Sequence, residues 1–149
     1  MQFDSSAFVT DPELVQRLEG LSSAVPCDAD RVLFSQGEFS TGLYILHAGA
    51  ANLSTRSIDG KFAISLQTTA GSLLGLHSLF GAKPHTYTAA ARRGARLSFI
   101  NREDFSALIH SDPPLHLKVT HTLAAEVEFA RMAIIDPLCV GAETEVASA

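Results

Sequence analysis

Gly42-Leu43-Tyr44-Ile45-Leu46-His47, Ala51-Asn52-Leu53-Ser54-Thr55 and Phe62-Ala63-Ile64-Ser65-Leu66 follow one another with Gly49 in the first gap and Asp59-Gly60 in the second. These runs are too short for helices, and they carry the β-branched and large apolar residues that fit a pleated surface. Asp-Gly between two such runs is a hairpin signal, because a type I′ turn needs positive φ at both central positions. Further runs lie outward on both sides: Arg31-Val32-Leu33-Phe34 before, Tyr87-Thr88-Ala89-Ala90-Ala91 and Arg96-Leu97-Ser98-Phe99-Ile100 after, punctuated by Gly37, Gly71 and Gly94. Short strands with a turn every 8 to 12 residues or so read as an antiparallel sandwich or barrel, here over about residues 24–100.

Helical periodicity flanks the barrel. Thr10-Asp11-Pro12-Glu13 reads as a capping box with Thr10 as the cap, and Leu14, Leu18 and Leu21 make an apolar face that ends at Gly20 with Ser22-Ser23. Asn101 caps a short helix over about 102–110 that carries Phe105, Leu108 and Ile109. A long helix over about 113–135 follows and is expected to stop at Asp136-Pro137, and the small acidic tail 141–149 is expected to be disordered. Val119, Leu123, Val127, Ala130 and Ile134 form one stripe along it, with Leu115, Thr122, Phe129 and Met132 beside the stripe and Glu126 and Glu128 facing water. Leu115 and Leu117 are available to pack on the barrel. So long a helix should outrun so small a sheet, and the stripe is then covered by a second copy of the chain, making a homodimer.

At 149 residues, 46% hydrophobic and 18% charged, one domain can bury its own core, and residues 1–149 read as a single unit. The net charge of −5 argues against direct nucleic-acid binding and against docking on anionic membranes. Cys27 and Cys139 stand alone, and no apolar stretch reaches the length of a membrane span, so a reduced, cytoplasmic protein is expected. No nucleophile elbow, carboxylate pair or P-loop is present, so an enzyme is not expected.

The order helix, barrel, short helix, long helix, with these glycines, resembles the cyclic-nucleotide-binding domain of the Crp/Fnr regulator superfamily. Arg31 to Glu38, Leu43 to Gly49 and Asp59-Gly60-Lys61 carry the resemblance. So, most tellingly, do Gly71-Ser72-Leu73-Leu74-Gly75-Leu76-His77-Ser78-Leu79-Phe80 and Pro84-His85-Thr86-Tyr87-Thr88-Ala89. The resemblance implies a mainly β fold: a jelly-roll-like double-stranded β-helix with an N-terminal helix and a long C-terminal dimerisation helix. It also implies transcription regulation by ligand sensing. In relatives that bind the nucleotide, a glutamate directly after the Gly75-equivalent takes the ribose hydroxyl, and an arginine followed by serine or threonine pairs with the phosphate. Here those positions hold Leu76 and His85-Thr86.

Leucine accepts no hydrogen bond, and a neutral histidine does not fork onto phosphate oxygens, so cyclic AMP is not expected to bind in the usual manner. A small-molecule ligand of this barrel would contact the amides of His77 and Ser78 beside Gly75 and the side chains of His85 and Thr86, against apolar walls from Leu66, Leu73 and Leu76. Haem-based sensors of the superfamily place an iron-ligating histidine near His77, but the plainer reading is a histidine closing a short turn, with no metal. His110, His116 and His121 read as surface histidines, and Arg92, Arg93 and Arg96 as a solvated hairpin edge. Regulators of the superfamily continue into a basic helix-turn-helix. This sequence leaves no room for one, so a lone sensor domain and a truncated regulator both remain open. The alternative to a sensor is a ligand-free module for dimerisation or partner docking.

Overall fold

The computed structural model describes residues 8–81 and 83–144, with side chains on the last helix described as far as Met132. Its first helix, α1 (Pro12–Glu19), is capped one residue later than the sequence suggests. The Asp11 carboxylate, and not the Thr10 hydroxyl, accepts from the amides of Glu13 (2.8 Å) and Leu14 (3.3 Å). A carboxylate there also complements the helix dipole. Thr10 is buried, and its hydroxyl donates to the Lys118 carbonyl at 3.3 Å. Leu14 and Leu18 are buried, whereas Leu21 lies past the Gly20 cap and is 45% exposed.

Eight strands follow: β1 (Ser23–Val25), β2 (Arg31–Phe34), β3 (Gly42–Ala48), β4 (Ala51–Arg56), β5 (Ala63–Thr68), β6 (Ser72–Leu74), β7 (Thr88–Ala91) and β8 (Arg96–Asn101). They form two antiparallel four-stranded sheets, in the orders β1-β8-β3-β6 and β2-β7-β4-β5. The β4–β5 connection is longer than a two-residue type I′ turn and runs over residues 57–62. Ser57 bonds Phe62 and Gly60 through its backbone, and Asp59 accepts from the Ser57 hydroxyl and the Lys61 amide.

Alternation along the strands divides the core in two. Tyr44, Leu46, Leu53, Leu74 and Leu97 point between the sheets, where Phe8, Phe34, Tyr87, Phe129 and Met132 join them. Leu43, Ile45, Leu73 and Ile100 point the other way, into a layer shared with Leu14, Leu18, Leu76, Phe105, Leu115 and Val119. The register sets this division: Leu73 pairs with Ile45 and Leu74 with Tyr44, so successive residues of β6 serve different cores.

α2 (Leu76–Gly81) leaves β6 through Gly75, and α3 (Arg102–Ser111) begins at Asn101, whose side chain accepts from the Asp104 amide at 2.8 Å. α4 (Pro114–Thr144) does not stop at Asp136-Pro137 but continues through it. A proline removes one amide from the helical ladder, a local cost that the helix on either side outweighs. Residues 141–144, expected to belong to a disordered tail, are helical; residues 145–149 lie outside the described ones. Leu115, Val119, Thr122, Glu126 and Phe129 make the face that α4 lays on the domain, all at most 2% exposed. Val119 of the expected dimer stripe is thus an intramolecular core residue. Leu123 is half-buried at the edge of that face, Val127 is exposed, Ala130 is half-buried, and the side chain of Ile134 lies outside the described residues. Leu117, expected to pack on the barrel, is 79% exposed. No helix among the described residues is long and apolar enough to cross a membrane. Cys27 is a buried free thiol, and Cys139 lies outside the described side chains.

Candidate ligand-binding site

Gly75 is the pivot of the site. It takes φ +95°, and a Cβ added there would meet His85 Cε1 at 3.1 Å and Phe34 Cε2 at 3.3 Å, so a side chain would fit neither the backbone nor the space. Its amide donates to the Tyr87 hydroxyl at 2.8 Å. The next two amides, those of Leu76 and His77, donate to the two carboxylate oxygens of Glu126 at 2.9 and 2.8 Å. The Tyr87 phenol lies beside the same carboxylate. Two successive amides therefore converge on one carboxylate delivered by α4.

Glu126 was expected to face water; it is 1% exposed. Its position between Thr122 and Phe129 on the packed face of α4 buries it, and the amides at the start of α2 give it partners there. Burial pushes its carboxyl up to about 7, against the hydrogen bonds that pull it down. Burial and the neighbouring Glu126 charge likewise raise the Tyr87 phenol.

On the other side of Gly75, His85 is 6% exposed, stacked on Phe34 with ring centroids 3.8 Å apart, and tied through Nδ1 to the Ser78 hydroxyl at 3.0 Å. Burial lowers its pKa to about 4, so the ring is neutral at pH 7. Thr86 bonds β4 through its carbonyl, which accepts from the Thr55 hydroxyl at 2.8 Å, while its own Oγ1 is buried without a partner. The structure thus brings Gly75, Leu76, His77, Ser78, His85 and Thr86 together around one loop and helix. The amide of His77 is already committed to Glu126.

The apolar walls differ from expectation. Leu66 packs against the core between the sheets, as a barrel wall should. Leu73 and Leu76 are fully buried in the helical layer on the other side of the sheet. Leu74 takes the wall position, because β6 alternates and the residue facing the barrel is the one paired with Tyr44. The barrel itself holds a three-ring cluster. Phe8 meets Tyr87 edge-on at 5.8 Å and Phe129 edge-on at 6.0 Å, and Tyr87 lies 6.0 Å from Phe129.

These residues do not match a phosphate. A phosphate meets a carboxylate already on the amides and a neutral imidazole where a fixed cation would serve it. His77 Nδ1 is buried without a partner. His110, His116 and His121 are exposed. Around Gly94, the Arg93 amide donates to Asp30 at 2.7 Å and Arg92 lies 3.9 Å from the same carboxylate, beside a shallow cavity that also touches Gln67.

The fold compares closely with solved regulators. The Thermus thermophilus catabolite activator protein superposes with a TM-score of 0.69 at 25% identity, over 87% of this chain and 60% of that one. The chain therefore spans less than two thirds of that regulator's length. The N-terminal domain of a transcriptional regulator from Streptomyces coelicolor A3(2) matches over 81% of this chain and 82% of its own, at 26% identity and TM-score 0.54. The sensor domain of the transcriptional regulator DNR from Pseudomonas aeruginosa matches over 85% and 84%, at 22% identity and TM-score 0.59. No curated protein matches the chain by sequence. The profile of the cyclic nucleotide-binding domain covers residues 25–112, more than half of the chain, which runs from β1 to the end of α3 and includes the whole Gly75 segment; this chain belongs to the cyclic nucleotide-binding domain family.

Proposed function

We propose that this chain is the ligand-sensing domain of a cytoplasmic regulator, that it signals through α4, and that it has given up the usual grip on a cyclic phosphate. The observation that carries the reading is the Glu126 carboxylate, which comes from α4 and occupies the Leu76 and His77 amides next to Gly75. In effect the protein supplies its own acceptor for these amides. Anything that disturbs the Gly75 segment changes what α4 is bonded to, and a ligand with different affinity for the two arrangements would shift α4 between them. The regulator and sensor-domain relatives support this role. Leu123, Val127 and Ala130, which α4 leaves partly or wholly outside its packed face, are where a second copy would dock to make a homodimer.

Calorimetric titration with cyclic AMP and cyclic GMP tests the site. No saturable heat is expected at 100-micromolar concentrations or so, since losing a charged buried partner costs about 2–5 kcal/mol. Micromolar binding of either nucleotide overturns the reading. The three-ring cluster of Phe8, Tyr87 and Phe129 also favours a second reading, a ligand-free docking module, because those rings fill space between the sheets that a ligand would need. A metabolite retained through purification in native mass spectrometry would exclude that module.

A further inference from the structure

We propose that the mouth of the barrel, separated from Gly75 by His85 and Phe34, is a binding site for a small organic cation. A cavity of about 440 Å³ opens there, within the range of small-molecule sites. Its walls include the rings of Phe34, Phe39, Tyr44 and Phe99, with His85 behind them and Glu38 at the side. Tyr44 and Phe99 are a register pair on adjacent strands with centroids 4.9 Å apart, and Phe34 lies 6.3 Å from Tyr44 across the gap between the sheets. The stacked pair Phe34–His85 divides this space from the Gly75 loop, which does not border the cavity.

Two features point to the occupant. First, Phe39 is 70% exposed at the rim, and Tyr44 and Phe99 stay half-buried although they sit on the inward face of their strands. Aromatic faces left accessible around one space are the surfaces that attract a cation through the ring quadrupole. Second, Glu38 brings the wall's only formal charge. One of its oxygens accepts from the Ser35 amide at 2.7 Å. No lysine or arginine lines the cavity. Arg102, whose amide donates to the carbonyl of the wall residue Thr41, spends its guanidinium on the carbonyls of Ser40 (2.8 Å) and Leu79 (3.2 Å). Burial keeps His85 uncharged. An anion would meet Glu38 unopposed, and a neutral apolar guest would leave both the carboxylate and the ring quadrupoles unused. An alkylammonium or similar cation uses both. The site goes beyond the sensor reading and stands on binding alone, whether or not its occupant moves α4.

The test compares choline with its neutral isostere 3,3-dimethylbutan-1-ol by nuclear magnetic resonance titration of the whole chain. Choline should saturate at millimolar concentrations or lower, with the isostere about tenfold weaker, as expected for a cation among accessible rings. Phe39→Ala removes an exposed ring and Glu38→Gln keeps an oxygen for the Ser35 amide, so both should fold with unchanged circular dichroism. Each should weaken choline by about three- to tenfold. The proposal is overturned if isostere and choline bind alike, if neither substitution changes choline binding, or if choline fails to saturate by about 20 mM.

Discussion

The two sides of Gly75 solve the same problem with opposite chemistry. Towards α2, the free amides of Leu76 and His77 are met by an ionisable carboxylate brought from far along the chain. Towards β7, a neutral imidazole is packed flat on Phe34 and tied to Ser78, a residue only seven positions away. Both groups are buried, but burial pushes their pKa values in opposite directions, up for Glu126 and down for His85. One side therefore depends on a tertiary contact with α4, and the other on a ring of β2.

The largest expected effect comes from breaking the first side. Glu126→Ala leaves two amides inside the protein without their acceptor, and should cost about 2–5 kcal/mol, at about 1–3 kcal/mol for each buried donor left unpaired. Urea denaturation measures it. A loss below about 1 kcal/mol would mean that water serves these donors equally well.

The opposed pKa shifts give the next effect. Glu126 is held up to about 7, from an ordinary value of 4.5, so its contribution to stability is complete below pH 4.5 and is lost as pH rises through 7. His85 is held at about 4, from 6.5, so its contribution is complete above pH 6.5 and is lost as pH falls towards 4. Over that shared window the two slopes offset each other, and the unmodified chain should be nearly flat. Glu126→Gln should be markedly less stable at pH 4.5 than at pH 7, by an amount on the order of 3 kcal/mol. His85→Gln should show the reverse slope. Parallel pH profiles for the three proteins would remove the contrast between the two sides.

The smallest effect sharpens the geometry of the His85 side. Gly75 and Gly37 share φ +95°, but a Cβ at Gly37 has nothing within 4 Å. Both alanine substitutions carry the same backbone strain, so Gly75→Ala should cost about 1 kcal/mol more, the crowding against His85 and Phe34. Equal midpoints in thermal denaturation would show that those rings yield freely.

Why was one side legible in the sequence and the other hidden? The strands announce themselves through runs such as Gly42 to His47, and the glycines mark the Gly75 segment together with His85-Thr86, because all of these signals are local. Adjacent residues of opposite facing are harder: Leu73 and Leu74 both look like wall residues until the pairing with Ile45 and Tyr44 fixes which faces the barrel. Glu126 is harder still. A glutamate on a long helix normally faces water, and its partners lie about 50 residues upstream in the backbone of another element. One signal was available: Leu115, Val119, Thr122, Glu126 and Phe129 recur at helical spacing, which places the acid inside an apolar row. The same spacing explains why Val119 packs inward.

The cluster of Phe8 with Phe129 has a consequence for the order in which the chain acquires its shape. Phe8 lies near the start of the described residues and Phe129 near the end, yet the two rings touch edge-on and share Tyr87 as a neighbour. During synthesis, the strands can pair as they emerge, but this closure waits until α4 has left the ribosome. Until then Tyr87 and the neighbouring faces of both sheets are uncovered, which makes the nascent barrel a target for chaperones and a slow, topologically demanding folder.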